Sequence, residues 1–256
     1  MLARVEDKGD RIVVYNMNAR RRGALSPEFY SAIQDAVIRA ADPRIRAVII
    51  TSEGGYFCAG GDLNTLAERA KLSEPERREK VEGLHGVIRS IRACSVPVIA
   101  SVEGGAAGAG ASIALACDLI VAAAGGNFTA SYVKAGLVPG GGLTSTLSRL
   151  VPRGVAMEMC LLARPGSAEQ KGQLGGNNAV VAPGSTDTEA HALADALAEG
   201  PRGAQSVIRN LVAGAYEAYE QDQLMRERDA MARAQGGPEA AEGISAFLEK
   251  RRARFG

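Results

Sequence analysis

Short apolar runs alternate in the first half of the chain with segments of helical periodicity. Residues 11–15 (RIVVY) are rich in β-branched side chains and predict a strand within an N-terminal hairpin. Ser26 followed by Pro27 is typical of a helix N-cap and first helical position, and the spacing of apolar residues predicts a helix to about Ala41. Residues 45–51 (IRAVIIT) then predict a buried strand that leads into a glycine-rich loop.

The same order of elements recurs in the next sixty residues. The next predicted helix has one apolar face, at Val81, Leu84, Ile88 and Ile91. Residues 98–102 (VIASV) predict a strand, a second glycine-rich loop follows, and a helix from about Gly108 precedes a strand at 118–123. Strand, glycine loop and helix thus occur twice, which indicates an α/β fold whose loops open on one side.

The last quarter of the chain has a different character. From about residue 187 it is alanine-rich, strongly charged and helical in pattern, without a strand signal. A helical region with so small a core of its own is more stable when it packs on another subunit or back on the preceding domain. We therefore expect a core over residues 1–190, a C-terminal helical region over residues 191–256, and assembly into an oligomer.

Composition excludes several classes of protein. Lys and Arg total 30 against 29 Asp and Glu, so no global field attracts nucleic acid or an anionic membrane. Aromatic residues make up only 4%, which disfavours base stacking, and no window reaches the ~20 apolar residues of a membrane span. The four cysteines are widely spaced and no histidine cluster accompanies them. We expect a cytoplasmic protein without a metal site, a nucleic-acid partner or a membrane contact.

Both glycine loops lead into predicted helices, so their amides lie near helix N-termini. The first loop, residues 57–63 (FCAGGDL), places the amides of Gly61 and Asp62 there, and the second, residues 103–112, leaves its amides unencumbered by large side chains. Such N–H groups bind negative charge. Two of them on one thioester oxygen would stabilise an enolate or tetrahedral oxyanion, by roughly 3–4 kcal/mol per donor in well-studied cases.

Several segments resemble the crotonase superfamily, the family of enoyl-CoA hydratases and isomerases. FCAGGDL is similar to its F-C/S-A-G-x-D-L motif, and VPVIASVEG followed by small residues and ALACDLIVAA resembles the partner motif. GALSPEFY, FTASYVKAGLVPGGG, ARPGSAEQ and AFLEKR are further similar segments, in the same order. The resemblance therefore covers nearly the whole chain.

The resemblance implies an α/β fold, a crotonase-type spiral of ββα repeats with a C-terminal α-helical oligomerisation region, assembled as a homotrimer or homohexamer. It implies oxyanion donors at Gly61 and Ala109, an acyl-CoA substrate, and no tightly bound cofactor, because coenzyme A enters as part of the substrate. The implied CoA contacts are backbone and basic side chains at these positions: Arg20, Arg22, Ala59, Gly60, Asp62, Leu63, Lys250 and Arg251.

The sequence departs from the family pattern at its acidic positions. Typical hydratases hold a water between two glutamates, and some isomerases use one further carboxylate. The matching positions here are Ser112, Tyr132 and Gly140. A tyrosine has an unperturbed pKa of ~10 and a serine needs an activating partner, so neither is a good base at neutral pH. We expect the thioester to be polarised while hydration is weakened.

Proton transfer is therefore open to several groups. Tyr132 is a candidate acid, relay or substrate donor, or else a packed ring with a satisfied hydroxyl. Ser112 is a candidate nucleophile, or else a small residue in the first turn of its helix. Glu103, at the end of a strand beside the second loop, is a candidate base or a solvated carboxylate. Asp62 is more simply a helix cap.

The leading hypothesis is an enzyme that acts on an acyl-CoA through an enolate, most simply as an enoyl-CoA hydratase of fatty acid metabolism. Within enzymes, the alternatives are double-bond isomerisation, decarboxylation or thioester hydrolysis on the same scaffold. From a different class, the alternative is a CoA-binding protein without hydratase activity, which the replaced acidic positions motivate.

Overall fold

A computed structural model describes residues 1–255 of the chain. Within these residues the strands are β1 (Ala3–Asp7), β2 (Arg11–Asn16), β3 (Ala47–Ser52), β4 (Val98–Val102), β5 (Gly105–Ala107), β6 (Leu119–Ala123), β7 (Asn127–Thr129), β8 (Gly166–Ser167) and β9 (Ala179–Val181). The helices are α1 (Pro27–Arg39), α2 (Leu63–Arg69), α3 (Glu74–Arg92), α4 (Ala109–Ala116), α5 (Leu143–Leu150), α6 (Arg153–Leu162), α7 (Ala168–Gln173), α8 (Thr186–Ala198), α9 (Arg202–Gly214), α10 (Glu220–Gln235) and α11 (Pro238–Leu248). Short 3₁₀ helices occupy Ala19–Arg21, Ser131–Ala135 and Ala215–Glu217.

Two sheets organise the core. The larger has the strand order β1-β2-β3-β4-β6-β9, and every pair in it is parallel except the β1–β2 hairpin. The smaller has the order β5-β7-β8, with β5 and β7 parallel. The carboxyl ends of β3 and β4 lie on one edge, so the loops that follow these strands emerge side by side. This mixed α/β arrangement agrees with the class predicted from the alternating pattern.

The apolar run of β3 is buried on both faces of the large sheet. Val48 and Ile50 belong to the main core, whereas Ala47 and Ile49 belong to a second cluster together with Ala190 of α8. A parallel strand covered by helices on both faces has no solvent side, which is why its sequence is continuously apolar rather than alternating. The strand predicted at 45–51 is confirmed within a residue or two.

Local signals also fix the helices. The Ser26 hydroxyl accepts a hydrogen bond from the amide of Phe29, so Ser26 caps α1 and Pro27 is its first residue, as predicted. Helix α3 buries Leu84, Ile88 and Ile91 at the predicted spacing against the main core, but the prediction for Val81 is wrong, since its side chain is 45% exposed. These caps and faces orient both helices along the strands that carry the glycine loops.

A buried arginine attaches the C-terminal helices to the core. Arg209 of α9 donates to the Asp118 carboxylate at 2.6 Å. Its other N–H groups donate to the carbonyls of Ile91, Arg92 and Cys94 at the end of α3. The guanidinium therefore neutralises a partly exposed carboxylate and satisfies the free carbonyls of a helix C-terminus. This contact folds α9 back onto the chain's own core.

The boundary predicted at residue 190 falls inside α8, whose alanines pack against the large sheet. The division into residues 1–190 and 191–256 stays a prediction. Among the helices within residues 1–255, none combines the length and the apolar character needed to cross a membrane.

Lys171 of α7 is the one lysine among the largest fully buried side chains, with 1% exposure. Its Nζ has no hydrogen-bond partner among residues 1–255, and it lies 4.2 Å from the centroid of the Phe128 ring. Burial lowers the pKa of Lys171 to about 7, far below that of a solvated lysine. Phe128 pairs with Ala106 of β5, so this amine contacts the strand pair that carries the second glycine loop.

Replacement of Lys171 by methionine is expected to raise the free energy of unfolding at neutral pH by a few kcal/mol, because a thioether needs no solvation. Between the folded pKa near 7 and the unfolded value of ~10.4, the unfolded chain binds more protons. Wild-type stability should therefore rise with pH across this window, and the advantage of the variant should shrink. Urea unfolding at several pH values measures both effects. The exposed Lys80→Met is the control, and a Lys171→Met effect that is independent of pH would contradict the explanation.

Candidate functional site

The first glycine loop joins β3 to α2 and is held from two sides. Its Phe57 and Cys58 are fully buried, and the amide of Phe57 donates to the Glu103 carbonyl at 2.9 Å. The Cys58 carbonyl accepts the amide of Ala107 at 2.8 Å, in an isolated parallel bridge to the start of the second loop. Strand-like pairing thus continues beyond the end of the large sheet and joins the two loops directly.

Small residues allow the two loops to touch. A Cβ added at Gly110 would lie 2.6 Å from the Cβ and 2.7 Å from the Sγ of Cys58, closer than real carbon atoms approach. A Cβ at Gly60, whose φ is +89°, would lie 2.7 Å from the Ala107 carbonyl oxygen and 3.2 Å from the Ala109 amide nitrogen. Glycine is therefore required by contact at both positions, and at Gly60 by backbone angle as well. The amide of Ala109 consequently lies beside the first loop.

The amides of Gly61 and Ala109 both lack an acceptor within residues 1–255. Ala109 is the first residue of α4, so its N–H is one of the free donors at that helix N-terminus, whereas Gly61 lies directly before Asp62, the N-cap of α2. The amide of neighbouring Gly108, in contrast, donates to the Thr129 carbonyl at 2.9 Å. Two free donors at the contact between the loops can bind one oxygen that carries negative charge.

Asp62 caps the helix that follows the first loop. Its Oδ1 accepts the amide of Thr65 at 3.0 Å, and Arg21 donates to Oδ2 at 2.6 Å. The Thr65 amide, followed by Arg21, holds the pKa of the Asp62 carboxyl below its usual value despite some desolvation. Asp62 is thus an ionised cap whose backbone adjoins Gly61. The capping role predicted from the sequence is confirmed, whereas its proposed contact with CoA stays a prediction.

Ser112, Tyr132 and Gly140 lie together in the fold. Tyr132 is 20 residues beyond Ser112 along the chain, and Gly140 is 8 residues beyond Tyr132. The Ser112 Oγ lies 3.0 Å from the Tyr132 hydroxyl and 2.9 Å from the Gly140 carbonyl oxygen. The Tyr132 hydroxyl lies 3.2 Å from the same carbonyl. Ser112 is on α4, one turn beyond Ala109, so this cluster lies close to the free amide. The three positions matched to family acids therefore form one group.

Burial dominates the electrostatics of this cluster. It raises the pKa of Tyr132 above 10, even though hydrogen bonds from Ser112 and at Gly140 act in the opposite direction. It also raises the pKa of Tyr30, which interacts with Cys58 and Tyr132, and it raises the pKa of the Cys58 thiol to about 12. At neutral pH these groups are uncharged. The cluster therefore offers hydroxyl groups rather than an ionised base.

Glu103 lies at the end of β4, but its carboxylate is directed elsewhere. Its Oε2 accepts a hydrogen bond from the Thr186 hydroxyl at 3.0 Å, at the start of α8. The Glu103 carbonyl, not its carboxylate, contacts the first loop. Among the described residues, no hydrogen bond joins Glu103 to Ser112 or Tyr132. The role of Glu103 as a base stays a prediction, and within residues 1–255 its carboxylate has no hydrogen bond to the cluster of Ser112, Tyr132 and Gly140.

The predicted CoA-binding residues fall into two groups. Arg20 and Arg22 are exposed beside the first loop, where the Arg22 carbonyl accepts the Ala59 amide at 2.9 Å and its guanidinium lies 4.0 Å from the centroid of the Tyr56 ring. Leu63 is the exposed first residue of α2. These side chains share one edge with Gly60 and Asp62.

The second group lies at the C-terminus. Lys250 and Arg251 follow α11, and the Arg251 guanidinium is engaged by the carboxylates of Glu242 and Glu249. The charge of Arg251 is therefore compensated within its own helical region, unlike the charges of Arg20 and Arg22 near the first loop. The sequence analysis did not identify Arg21, which forms an ion pair with Asp62 and so connects the arginines at 20–22 to the first loop. The run of three consecutive arginines was the feature of the sequence that could have indicated it.

Within residues 1–255, no group of three or more histidine, cysteine, aspartate or glutamate side chains is arranged to hold a metal ion. The chemistry that the site offers consists of two free amides, a neutral hydroxyl pair and a nearby set of exposed arginines. This combination suits an anion that develops on a carbonyl oxygen and a ligand with phosphate groups.

Comparison with known proteins places this site in a wider group. A family model described as enoyl-CoA hydratase/isomerase matches residues 7–256. A probable enoyl-CoA hydratase of Rhodobacter capsulatus is 35% identical over 253 residues, which cover 96% of this chain and 91% of that protein. The 1,2-epoxyphenylacetyl-CoA isomerase of Escherichia coli is 33% identical over 257 residues, which cover 100% of this chain and 97% of that protein.

A crystal structure extends the similarity to three dimensions. The structure of an enoyl-CoA hydratase from Polaromonas sp. JS666 superposes with a TM-score of 0.96 at 38% sequence identity, and the match covers 99% of each chain. Agreement over that length includes both glycine loops and the C-terminal helices.

Replacement of Gly110 by alanine tests the contact between the two loops. The added methyl group would collide with Cys58, so we expect a lower thermal unfolding midpoint and faster hydrogen exchange at the Ala107 and Ser112 amides, which donate to the carbonyls of Cys58 and Gly108. The matched control is Gly83→Ala in α3, where an added Cβ meets nothing within 4 Å and helix propensity favours alanine. Equal exchange at Ala107 and Ser112 in both variants would show that the loops do not depend on this contact.

Proposed function

Since the chain belongs to the enoyl-CoA hydratase/isomerase family and has its crotonase-type α/β fold, we propose that it binds the thioester oxygen of an enoyl-CoA between the amides of Gly61 and Ala109. The observation that carries this proposal is that both N–H groups lie where the two glycine loops meet and have no acceptor within residues 1–255. Donors fixed in advance at the site of developing charge stabilise the enolate more than the ground state.

Hydration of the double bond is the reaction that we propose. In this step the oxygen of a water molecule bonds to C3 while one of its protons passes to the Tyr132 oxygen. The π electrons of the C2–C3 bond move onto the thioester oxygen, and C2 then takes the proton that the Tyr132 hydroxyl gives up as the carbonyl re-forms. Among the described residues, no carboxylate hydrogen-bonds to Ser112 or Tyr132, so we propose that Tyr132 carries the proton. Each general acid or base contributes ~10²–10⁴-fold, so turnover should be slow beside that of members with two glutamates.

Double-bond isomerisation is the second candidate, favoured by one contact. Ser112 and Tyr132 touch directly at 3.0 Å, which leaves no space for a water between these two side chains. Isomerisation moves a proton between carbons through the same enolate and consumes no water. The similarity over the whole chain to a protein named as an acyl-CoA isomerase supports keeping this alternative.

The exposed arginines beside the first loop support the choice of CoA as carrier. We propose that Arg20 and Arg22 bind its phosphate groups while the backbone from Ala59 to Leu63 accommodates the adenine. Neither arginine forms an ion pair with a carboxylate among residues 1–255, whereas Arg21 is paired with Asp62. A guanidinium without a carboxylate partner is free to bind phosphate.

Crotonyl-CoA hydration measured beside calorimetric binding of butyryl-CoA tests the proposed function. We expect micromolar binding together with slow hydration that Tyr132→Phe lowers by ~10²-fold or more and that Glu103→Gln leaves within a few-fold. Both substitutions keep the side-chain volume nearly constant, since Tyr132→Phe removes one hydroxyl and Glu103→Gln replaces a carboxylate by an amide, so they form a matched pair. Binding without hydration, but with conversion of 3-enoyl-CoA to 2-enoyl-CoA, would favour isomerisation. Absence of butyryl-CoA binding would exclude the proposal.

The C-terminal helices support assembly into a trimer or a hexamer. Large apolar side chains are exposed on them, including Val212 at 66%, Phe247 at 84% and Leu248 at 73%. Exposed apolar residues of this size on consecutive helices mark a surface that buries against a partner. The occupant that we propose is a second copy of the same helical region.

Sedimentation should therefore give three or six times the 26.6 kDa of one chain. Phe247→Glu should shift the distribution toward the monomer, because a carboxylate cannot be buried at an apolar contact without a partner. Lys80→Glu on the exposed face of α3 is the control. A wild-type monomer at micromolar concentration would refute the expectation.

A further inference from the structure

The first turn of α8 contacts the ends of both strands that carry the glycine loops. The Oδ1 atom of Asp187 accepts a hydrogen bond from the Thr51 hydroxyl of β3 and another from the Ser101 hydroxyl of β4, each at 2.6 Å. The preceding residue, Thr186, donates to the Glu103 carboxylate at 3.0 Å, just beyond the end of β4. One carboxylate oxygen therefore joins the two strands in addition to their backbone hydrogen bonds.

The two hydroxyls lie side by side on one face of the large sheet. Ile49 of β3 and Ile99 of β4 are paired in the parallel register, and both belong to the second apolar cluster. Thr51 and Ser101 are each two residues further along, so they lie on the same face, next to each other. Their side chains are 2% and 0% exposed. Hydroxyls buried to this extent need a hydrogen-bond partner, and Asp187 is the partner of both.

The position of Asp187 on α8 explains how one carboxylate reaches both strands. Ala190 and Ala194 follow it at the spacing of a single helix face, and both belong to the second apolar cluster. The carboxylate therefore lies where this face of α8 meets the sheet. Its Oδ2 has no hydrogen bond within residues 1–255, and the residue as a whole is exposed. An amide oxygen could replace Oδ1 as the acceptor while the amide nitrogen faces solvent.

The strand ends that Asp187 joins lead into the two loops of the candidate site. Cys58 and Ala109 belong to the main core, whereas α8 packs with the second apolar cluster. Asp187 therefore acts on the loops through the strands and not by contact with them. A shift of either strand end would move one loop amide relative to the other, and a displacement of about 1 Å in a catalytic arrangement can cost ~10²-fold in rate.

We infer that Asp187 is a positioning residue of the oxyanion site, because its carboxylate fixes the separation of the strand ends from which the Gly61 and Ala109 amides are presented. This role rests on the proposed function, since it concerns the oxygen that is bound between these two amides. The group that Asp187 holds in place is the pair of donors, so its loss should weaken the binding of negative charge more than the binding of a neutral thioester.

Enolisation of bound acetoacetyl-CoA measures the pair of donors without requiring turnover. The C2 proton of this ester is acidic, and the ultraviolet absorbance of its enolate gives the enolised fraction of the complex at a fixed pH. Asp187→Ala should lower the enolisation constant of the bound ester by ~10-fold or more, because a displaced donor stabilises the enolate less. Calorimetric binding of butyryl-CoA, whose C2 proton is much less acidic, should stay within about two-fold of the wild type.

Matched variants separate positioning from a general loss of stability. Asp187→Asn keeps an oxygen acceptor and should hold the enolisation constant within about three-fold of the wild type. Glu189→Ala removes a charge from the same helical turn, where the Glu189 carboxylate has no hydrogen bond within residues 1–255, and should leave the constant unchanged. Thr51→Val removes one of the two donors at nearly constant volume. It should lower the constant when made alone and add no further loss to Asp187→Ala, because the two residues act through one hydrogen bond.

Other results would overturn the role of Asp187. One such result is an enolisation constant that is unchanged in Asp187→Ala while butyryl-CoA still binds. Another is a loss that Asp187→Asn does not restore. If Asp187→Ala does not fold, an unchanged constant in Thr51→Val refutes the role and a lowered one supports it. In all of these cases the wild type still binds and enolises the ester, and the proposed function stands. Wild-type protein that binds neither ester, or binds acetoacetyl-CoA without enolising it, would instead remove the proposed function and this role with it.

Discussion

The direct contact between Cys58 and Gly110 is the constraint on which the candidate site depends. Each glycine loop ends at a helix N-terminus and has free amides of its own, but one amide stabilises an oxyanion far less than two. The parallel bridge from Cys58 to Ala106 and the absence of a side chain at Gly110 bring the loops to van der Waals distance. The rest of the fold holds the strands that carry these loops parallel and adjacent.

Much of the fold was predictable because its signals are local. The cap at Ser26, the continuously apolar run of β3 and the spacing on α3 each depend on residues within one or two turns, and the structure confirms them. The ion pair between the buried Arg209 and the partly exposed Asp118 was not predictable, since 91 residues separate its members. An arginine in an amphipathic helix normally faces solvent, and only the packing of α9 on the end of α3 reverses this.

The site was predictable in position but not in hydrogen bonding. The loops, and the replaced positions Ser112, Tyr132 and Gly140, could be identified from motif spacing. That these positions close on one another could not, because their contact requires the 3₁₀ helix at Ser131–Ala135 and the left-handed Gly141 to turn the chain back onto α4. The direction of the Glu103 carboxylate, toward Thr186, likewise depends on a helix far along the chain.

The side chains around Ser112 and Tyr132 are uncharged at neutral pH, and this limits the proton transfers that the site can perform. An ionised carboxylate beside a forming enolate would oppose its charge, whereas a phenol whose pKa is raised by burial remains uncharged at neutral pH. The Cys58 thiol, with a pKa of about 12, adds no charge either. Negative charge on the thioester oxygen of the proposed ligand would then meet only amide dipoles and neutral groups. In the proposed hydration the amides would still stabilise the enolate, whereas a neutral hydroxyl is a weaker proton donor and acceptor than a carboxyl group, so proton transfer and not charge stabilisation would limit turnover.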